Sequence, residues 1–427
     1  MKYSLPTDRP AFFNQLAYYA LLASGAYIIL FWSPNILGDL FSRYTKGIIF
    51  ILPWLMLWLA YSRQVVANRD HRWEILLIVS IIILGIINVP LSDSPSKSLT
   101  PMRNFLLTGI FALWTSMFLL TDPRRRQVFD WFCAGALAVI LPGEIIVWWL
   151  RGNYGQHVFQ IFTLHPIPLG TVIILLSPGP VRLIATKNVP ARLFGWLLVL
   201  LGVFLIFLTH KRGTWLALAA ILLVSIIYLA RRRRYLILTL LLLVALLVSL
   251  ETRRQLARLD PNIPHYGSVL HRLELYPFAL HIWRIHPFMG IGLRAFNHEN
   301  YLAGYQQHIQ ALGDFPKRIV TLQTFDNTLL TGLVEFGTVM TLFYLALVIL
   351  ILQKYCRRVR SSPESSPLDW YRVLILLGFA IHSLTYDSIL VPPVNWLFHV
   401  QMGILAGYHA SEARLSHQSG PTRLSEV

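Results

Sequence analysis

Apolar runs close to membrane-spanning length recur along the chain, separated mostly by short polar segments. They fall at about residues 13–33, 46–62, 73–91, 104–121, 130–150, 166–181, 192–209, 213–230, 234–250, 328–352, 370–388 and 393–410. A helix needs about 20 apolar residues to cross the hydrocarbon core of a bilayer, and only helices or closed barrels satisfy their backbone there. The pattern predicts an all-α polytopic membrane protein with about twelve transmembrane helices. One polar stretch, Glu251 to Asn327, is much longer than the rest, with nine runs before it and three after. It predicts a large loop displayed on one face of the membrane. The chain then divides into helices one to nine over 1–250, the loop over 251–327, and helices ten to twelve with a tail over 328–427, all one integral membrane domain.

Three runs and the loop carry further detail. The sixth run is crowded by Pro166, Pro168, Gly170, Pro178, Gly179 and Pro180, so its helix needs neighbours to satisfy the freed backbone groups. The seventh and eighth runs have almost nothing between them, which predicts a tight antiparallel pair. Within the loop, Val269, Leu273, Tyr276, Leu280 and Trp283 recur at helical spacing, with Arg272, His281 and Arg284 on other faces. This is the pattern of an amphipathic helix, kinked near Pro277 and stopped at Pro287. Such a helix can lie on the membrane surface, or rest an apolar face on the bundle and aim Arg272 into a cavity. HPFMGIG then reads as a turn that returns the chain to the membrane.

Composition agrees with the pattern: 55% of the 427 residues are hydrophobic and 13% charged, where soluble domains carry about a quarter charged residues. The net charge of +17 could suggest nucleic acid, but the basic residues lie in short inter-helix segments, which points to membrane topology. With the N-terminus in the cytoplasm, 22 Lys and Arg residues fall inside, always in short segments, and 15 outside. Eight of the outer ones lie in the long loop, where the charge rule has little force. Both termini are then cytoplasmic and the long loop periplasmic. The N-terminus lacks a cleavable signal pattern, and Cys133 and Cys356 fall on the reducing side, as free thiols.

This orientation makes the outer basic residues informative. In the short HKRGTW turn, Lys211 and Arg212 can snorkel to headgroups. Alternatively, His210, Lys211 and Arg212 form an anion site at a helix start, with Gly213 letting the backbone approach. Asp326 and Asn327 stand at the mouth of the tenth run, where an Asp can be a helix N-cap, a general base, or both. Glu144, Glu335, His382 and Asp387 lie in or near runs; ionisable groups there must be paired, interior-facing or close to an interface. Asp387 could face the same cavity as Asp326. No cluster has metal-ligand spacing, and no phosphate loop, dinucleotide fingerprint or serine elbow is present.

Three segments in order, LTHKRGTWLAL, SVLHRLELYPFALHIWRIHPFMGIGLRAF and TFDNTLLTGLVEFGTVM, resemble the O-antigen ligase/polymerase family of bacterial inner-membrane glycosyltransferases. The resemblance is sharpest over about 205–340, and the layout of spans around one large loop extends it across the chain. It implies a GT-C-like enzyme that takes a glycan from undecaprenyl diphosphate at the periplasmic face, with no nucleotide sugar, cofactor or metal. By position, Arg212 matches the family's arginine after the seventh span and Arg272 that of the loop helix, with Tyr276 four residues on. Both arginines would bind the diphosphate, helped by Lys211 and His210. Family ligases show His-Asn where this chain has Asp326-Asn327, and related cell-wall polymerases use an aspartate. TYDSIL, with Asp387, is similar to the end of the eleventh span in ligases.

The expected function is transfer of O-antigen to lipid A-core, with inversion at the anomeric carbon and Asp326 activating the acceptor hydroxyl. Polymerisation of lipid-linked repeat units is the near alternative. A twelve-span transporter or flippase is a further class, but it should show internal repeats, and none is visible. Expected partners are the lipid-linked donor, lipid A-core or a lipid-linked acceptor, and membrane lipids, not nucleic acid.

Overall fold

A computed structural model describes residues 9–30, 49–60, 71–151, 166–209, 211–229, 267–295, 301, 325–361 and 367–418, excluding some side chains such as those of Arg212 and residues 267–275. Among the described residues there are helices and turns and no strand. In chain order the helices are α1 (Arg9–Leu30), α2 (Ile49–Ala60), α3 (Arg72–Asn88), α4 (Pro95–Leu119), α5 (Pro123–Arg151), α6 (Pro166–Leu176) and α7 (Pro178–Ile184). They continue with α8 (Val189–Leu208), α9 (Arg212–Leu229), α10 (Gly267–Ile285), α11 (Thr328–Ser361), α12 (Pro367–Ser383) and α13 (Pro392–Gln418). Six segments of the described residues are long and apolar enough to cross a membrane: Ala11–Leu30, Pro95–Leu119, Pro123–Val147, Ile167–Ile184, Val189–Leu208 and Thr328–Ser361. Two shorter apolar helices, Ile49–Ala60 and Gly213–Ser225, accompany them. The chain is a helical membrane protein; the ninth predicted run, 234–250, and most of the 251–327 loop lie outside the described residues.

α13 is the axis of the bundle. It packs on α4, α11, α6 and α1, and its Trp396 is fully buried. Small residues allow the close approaches, because helices in lipid associate through packing and not through burial from water. A Cβ at Gly25 of α1 would lie 2.3 Å from the Trp396 ring. On α13 itself, Gly403 and Gly407, four apart and so on one face, meet Ser116 and Met117 of α4. α4 carries one π turn, Leu106–Ile110, and there Asn395 of α13 enters, donating to the Phe105 carbonyl at 3.1 Å and Thr108 Oγ1 at 2.9 Å.

The proline-rich sixth run is split at Ser177, where Pro178 begins a new helix. The Ser177 hydroxyl donates to the Ile174 carbonyl at 2.5 Å and accepts from Tyr371 at 2.7 Å, so a neighbouring helix supplies the polar contact that the break requires. The predicted pairing of the seventh and eighth runs needs correction. α8 and α9 meet at their connection, through Phe207 stacked on Trp215 at 4.5 Å, but α9 packs chiefly along α12. Gly378 of α12 explains the preference, since it lets Ile221 and Ala217 come against the α12 backbone.

The loop helix is present as α10, with Pro277 inside it, and its docked face follows the predicted one only in part, through Tyr276 and Trp283. Phe278, Ala279 and Ile282 are fully buried with Ile291, Phe325 and Val334, while Leu280 is 40% exposed. α10 is apolar on more than one side, so the pattern did not single out the docked face. After it, the turn that returns the chain plugs a break in α11. A π turn at Gly332–Phe336 ends at Gly337, whose φ of 77° interrupts the helical ladder. The freed Val334 and Glu335 carbonyls accept from Ile291 N at 2.9 Å and Gly292 N at 3.0 Å, and Asn88 of α3 also donates to Glu335 O. From the other side, Thr338 N donates to Pro287 O at 2.9 Å. A Cβ on Gly290 would sit 2.5 Å from Gly337 N, so the two backbones touch only because both residues are glycine. A further tie joins this region to the turn after α3, where the Tyr301 hydroxyl donates to Asp93 and lies 3.0 Å from His286 Nε2. Burial and then the Asp93 bond push the Tyr301 hydroxyl well above its ordinary range.

Candidate functional site at the start of α11

Asn327, and not Asp326, caps α11. Its Oδ1 accepts from Leu329 N at 2.9 Å and Leu330 N at 3.2 Å, which satisfies two of the free donors at the helix start. Asp326 precedes it with φ 50°, half-buried, so its carboxylate is not consumed by the cap. This resolves the alternatives for Asp326 in part: the cap role belongs to its neighbour.

The turn after α12 is fastened to this helix start by three side chains. Asn327 Nδ2 donates to Leu384 O at 3.3 Å, Thr328 Oγ1 to Tyr386 O at 3.2 Å, and Thr331 Oγ1 to Asp387 Oδ2 at 2.5 Å. Asp387 is 2% exposed, and its charge and that of Asp326 lie within electrostatic reach of each other. The same turn receives the start of α9. A Cβ on Gly213 would fall 2.1 Å from Thr385 Oγ1 and 3.1 Å from His382 Nδ1. His382, buried at the end of α12, is held by Ser388 at 2.7 Å. Gly213 thus serves a close protein contact, which sets the first turn of α9 beside Asp387.

Three predicted site segments therefore meet. Asp326, Asn327 and Asp387 are together, and the helix start at Arg212 lies one residue from the Thr385 contact. The Arg212 side chain and all of His210 lie outside the described residues; Lys211 is half-buried. Arg272 is on α10, six residues before Phe278, about 9 Å along a helix, and Phe278 belongs to the cluster that includes Phe325, next to Asp326. Its side chain is also outside the described residues. Tyr276 is half-buried against that same cluster.

Two more groups stand at this place: Glu335, noted from the sequence only as an ionisable group in a run, and Arg294, which was not singled out. Glu335, 1% exposed, accepts the Arg294 backbone N–H on Oε2 at 3.1 Å, and the Arg294 charge is within electrostatic reach of both Glu335 and Asp387. Arg294 was one of eight basic residues in the loop, with no local pattern to set it apart. Its partner lies 41 residues on, in the π turn. Among the described residues no group of His, Cys, Asp and Glu could hold a metal ion.

Gly213 offers a direct check on this geometry. Gly213→Ala should cost about 1–3 kcal/mol through overpacking, seen as a lower unfolding temperature in detergent. Thr385→Ala in the same chain should recover most of it, because the hydroxyl is the nearest obstacle.

The fold and this polar, carboxylate-rich helix junction define a helical membrane protein with the makings of an enzyme site. Residues 197–363 match the family model described as O-antigen ligase, the family that the motifs resemble. The match covers Arg212, Arg272, Arg294, Asp326 and Glu335, and Asp387 lies beyond it. No curated protein matches the chain.

Proposed function

We propose that the protein is a glycosyltransferase that moves a glycan from undecaprenyl diphosphate to an acceptor hydroxyl, most directly O-antigen to lipid A-core. The observation that carries the reading is the junction of the Asp387 turn with the α9 start and the Asp326-Asn327 start of α11, the last two within the stretch matching the O-antigen ligase family. Arg212 and Arg272 would hold the diphosphate. A guanidinium suits this because its planar fork pairs bidentately with phosphate oxygens and keeps its charge. As the anomeric C–O bond breaks, negative charge grows on the departing diphosphate, and fixed arginines beside it stabilise that charge. Asp326 takes the proton of the acceptor hydroxyl as the hydroxyl attacks from the opposite side, which inverts the anomeric centre and needs no metal. In this reading the chain has twelve spans, both termini in the cytoplasm, and the loop and site at the periplasmic face of the bacterial inner membrane.

Polymerisation of lipid-linked repeat units is favoured by one specific feature, Asp326 where family ligases carry histidine. An assay in proteoliposomes with lipid-linked repeat units and lipid A-core separates the two. Sugar on lipid A-core identifies a ligase, and longer lipid-linked chains a polymerase. Arg272→Ala should cut either transfer by about a hundredfold while leaving insertion intact; parental transfer by that variant would remove the site assignment.

A further inference from the structure

We infer that Arg294 is a third anion-binding side chain of this site, aimed at the phosphate-bearing leaving group together with Arg212 and Arg272. The inference rests on the transfer reading above and adds a residue that the motif comparison does not supply.

The starting point is backbone conformation. Among the described residues, only Arg294 (φ 56°) and Asp326 (φ 50°) are non-glycine residues with positive φ. A left-handed backbone is unfavourable for a residue with a side chain, and such strain persists where the surrounding structure imposes it, often at ligand sites. Both strained residues belong to one place here. Arg294 is fixed by the re-entry turn plugged into the break in α11, and by its N–H donated to Glu335 Oε2.

Its guanidinium is the unusual element. Glu335 and Asp387 are the acids within its reach, yet each already has a bond: Glu335 to the Arg294 backbone and Asp387 to Thr331. Among the described residues the Arg294 guanidinium forms no hydrogen bond or ion pair, and the residue is only half-buried. The sign of the local charge then becomes decisive. Asp326 and Asp387 bring two carboxyl groups to a site that, on the transfer reading, must receive a diphosphate. Repulsion between like charges in a partly buried place is larger than at an exposed surface. A fixed guanidinium between those acids and the ligand offsets the repulsion and has donors left to grip phosphate oxygens. Glu335 acts through Arg294 as a positioning residue, since what it holds is the backbone that carries the guanidinium.

The test uses the full chain in detergent or nanodiscs, with undecaprenyl diphosphate as the binding probe and undecaprenol as its neutral control. Arg294→Ala should weaken undecaprenyl diphosphate by about tenfold or more, leave undecaprenol unchanged, and lower transfer by about a hundredfold. Arg294→Lys, which keeps the charge and loses the fork, should fall between. Glu335→Gln retains an oxygen to accept the Arg294 N–H and should stay near the parent, while Glu335→Ala should reproduce the Arg294→Ala defect in binding and transfer. Parental binding and transfer by Arg294→Ala would overturn the inference. So would an Arg294→Lys chain equal to the parent in both, since that result means charge balance alone. If Arg294→Ala does not fold, the Lys variant and an Arg294→Gln variant carry the comparison. Arg272→Ala separates the two levels. If it transfers normally, the transfer site itself is misassigned; if it is inactive and Arg294→Ala is active, only the role of Arg294 falls.

Discussion

Replacing Asp326 with Asn should lower glycan transfer by about two to four orders of magnitude while leaving the folded protein intact. The reason for expecting so clean a separation is the backbone. Asp326 sits at φ 50°, a region that Asp, Asn and His enter several-fold more readily than other residues with side chains. Asn therefore keeps the conformation and removes only the carboxylate. The helix cap is untouched, because Asn327 supplies it through Leu329 N and Leu330 N. The same argument gives a physical account of the residue types found here and in family ligases, where histidine stands before the asparagine. Both are bases, and both tolerate the left-handed backbone. Asp326→His should then recover part of the lost rate, and that rate should fall as the pH drops through the imidazole range, near 6.5, because only the neutral ring accepts a proton. Asp326→Leu should lose stability as well as transfer, for want of a side chain suited to the turn. The measurements are initial rates in proteoliposomes and unfolding temperatures for the same preparations. An Asp326→Asn chain with parental rates would assign the proton to another group.

Much of this arrangement was legible from the order of residues, and its limits have physical causes. Among the described residues the apolar runs coincide with helices, since a membrane span must be continuous and apolar to satisfy its backbone. The proline-rich sixth run broke where Pro178 required. What periodicity could not supply was the choice among several apolar faces. α10 docks Phe278, Ala279 and Ile282, and α9 lies along α12 because Gly378, which permits the close approach, sits on the partner. The break in α11 was equally hidden. GLVEFG reads as ordinary span, and only the docked HPFMGIG turn, about 45 residues earlier in the chain, makes its Gly337 intelligible. Asp326 and Asp387 were visible as isolated acids; that Thr331 joins their helix and turn was not. Nor could sequence separate Asp326 from Asn327 as the cap, since both types are good at it.

At the far end of α12 from Asp387, a buried ion pair should respond unequally to loss of its two members. Arg372, 2% exposed, donates to Asp130, 1% exposed, and to Gln401 Oε1 at 2.6 Å. Gln401 in turn donates to the Leu175 carbonyl at 3.0 Å, so α5, α12, α13 and α6 share one polar network. Removing one partner of a buried pair typically costs about 3–5 kcal/mol, because the other charge is left without compensation. The two single losses differ in what remains. In Arg372→Met, Asp130 still has Arg182 at 3.6 Å from its other oxygen, and a carboxylate can take up a proton to shed its charge. In Asp130→Ala, Arg372 keeps only the neutral Gln401, and a guanidinium does not give up its proton. Asp130→Ala should therefore be the more damaging, toward the upper end of that range. The double variant Asp130→Leu, Arg372→Met should lie much closer to the parent than either single change, since apolar replacement of a whole buried pair is often neutral. Unfolding midpoints of the four chains in one detergent check the order. A double variant as unstable as the sum of the singles would mean that the pair is worth more than its desolvation costs, and that the bundle depends on it.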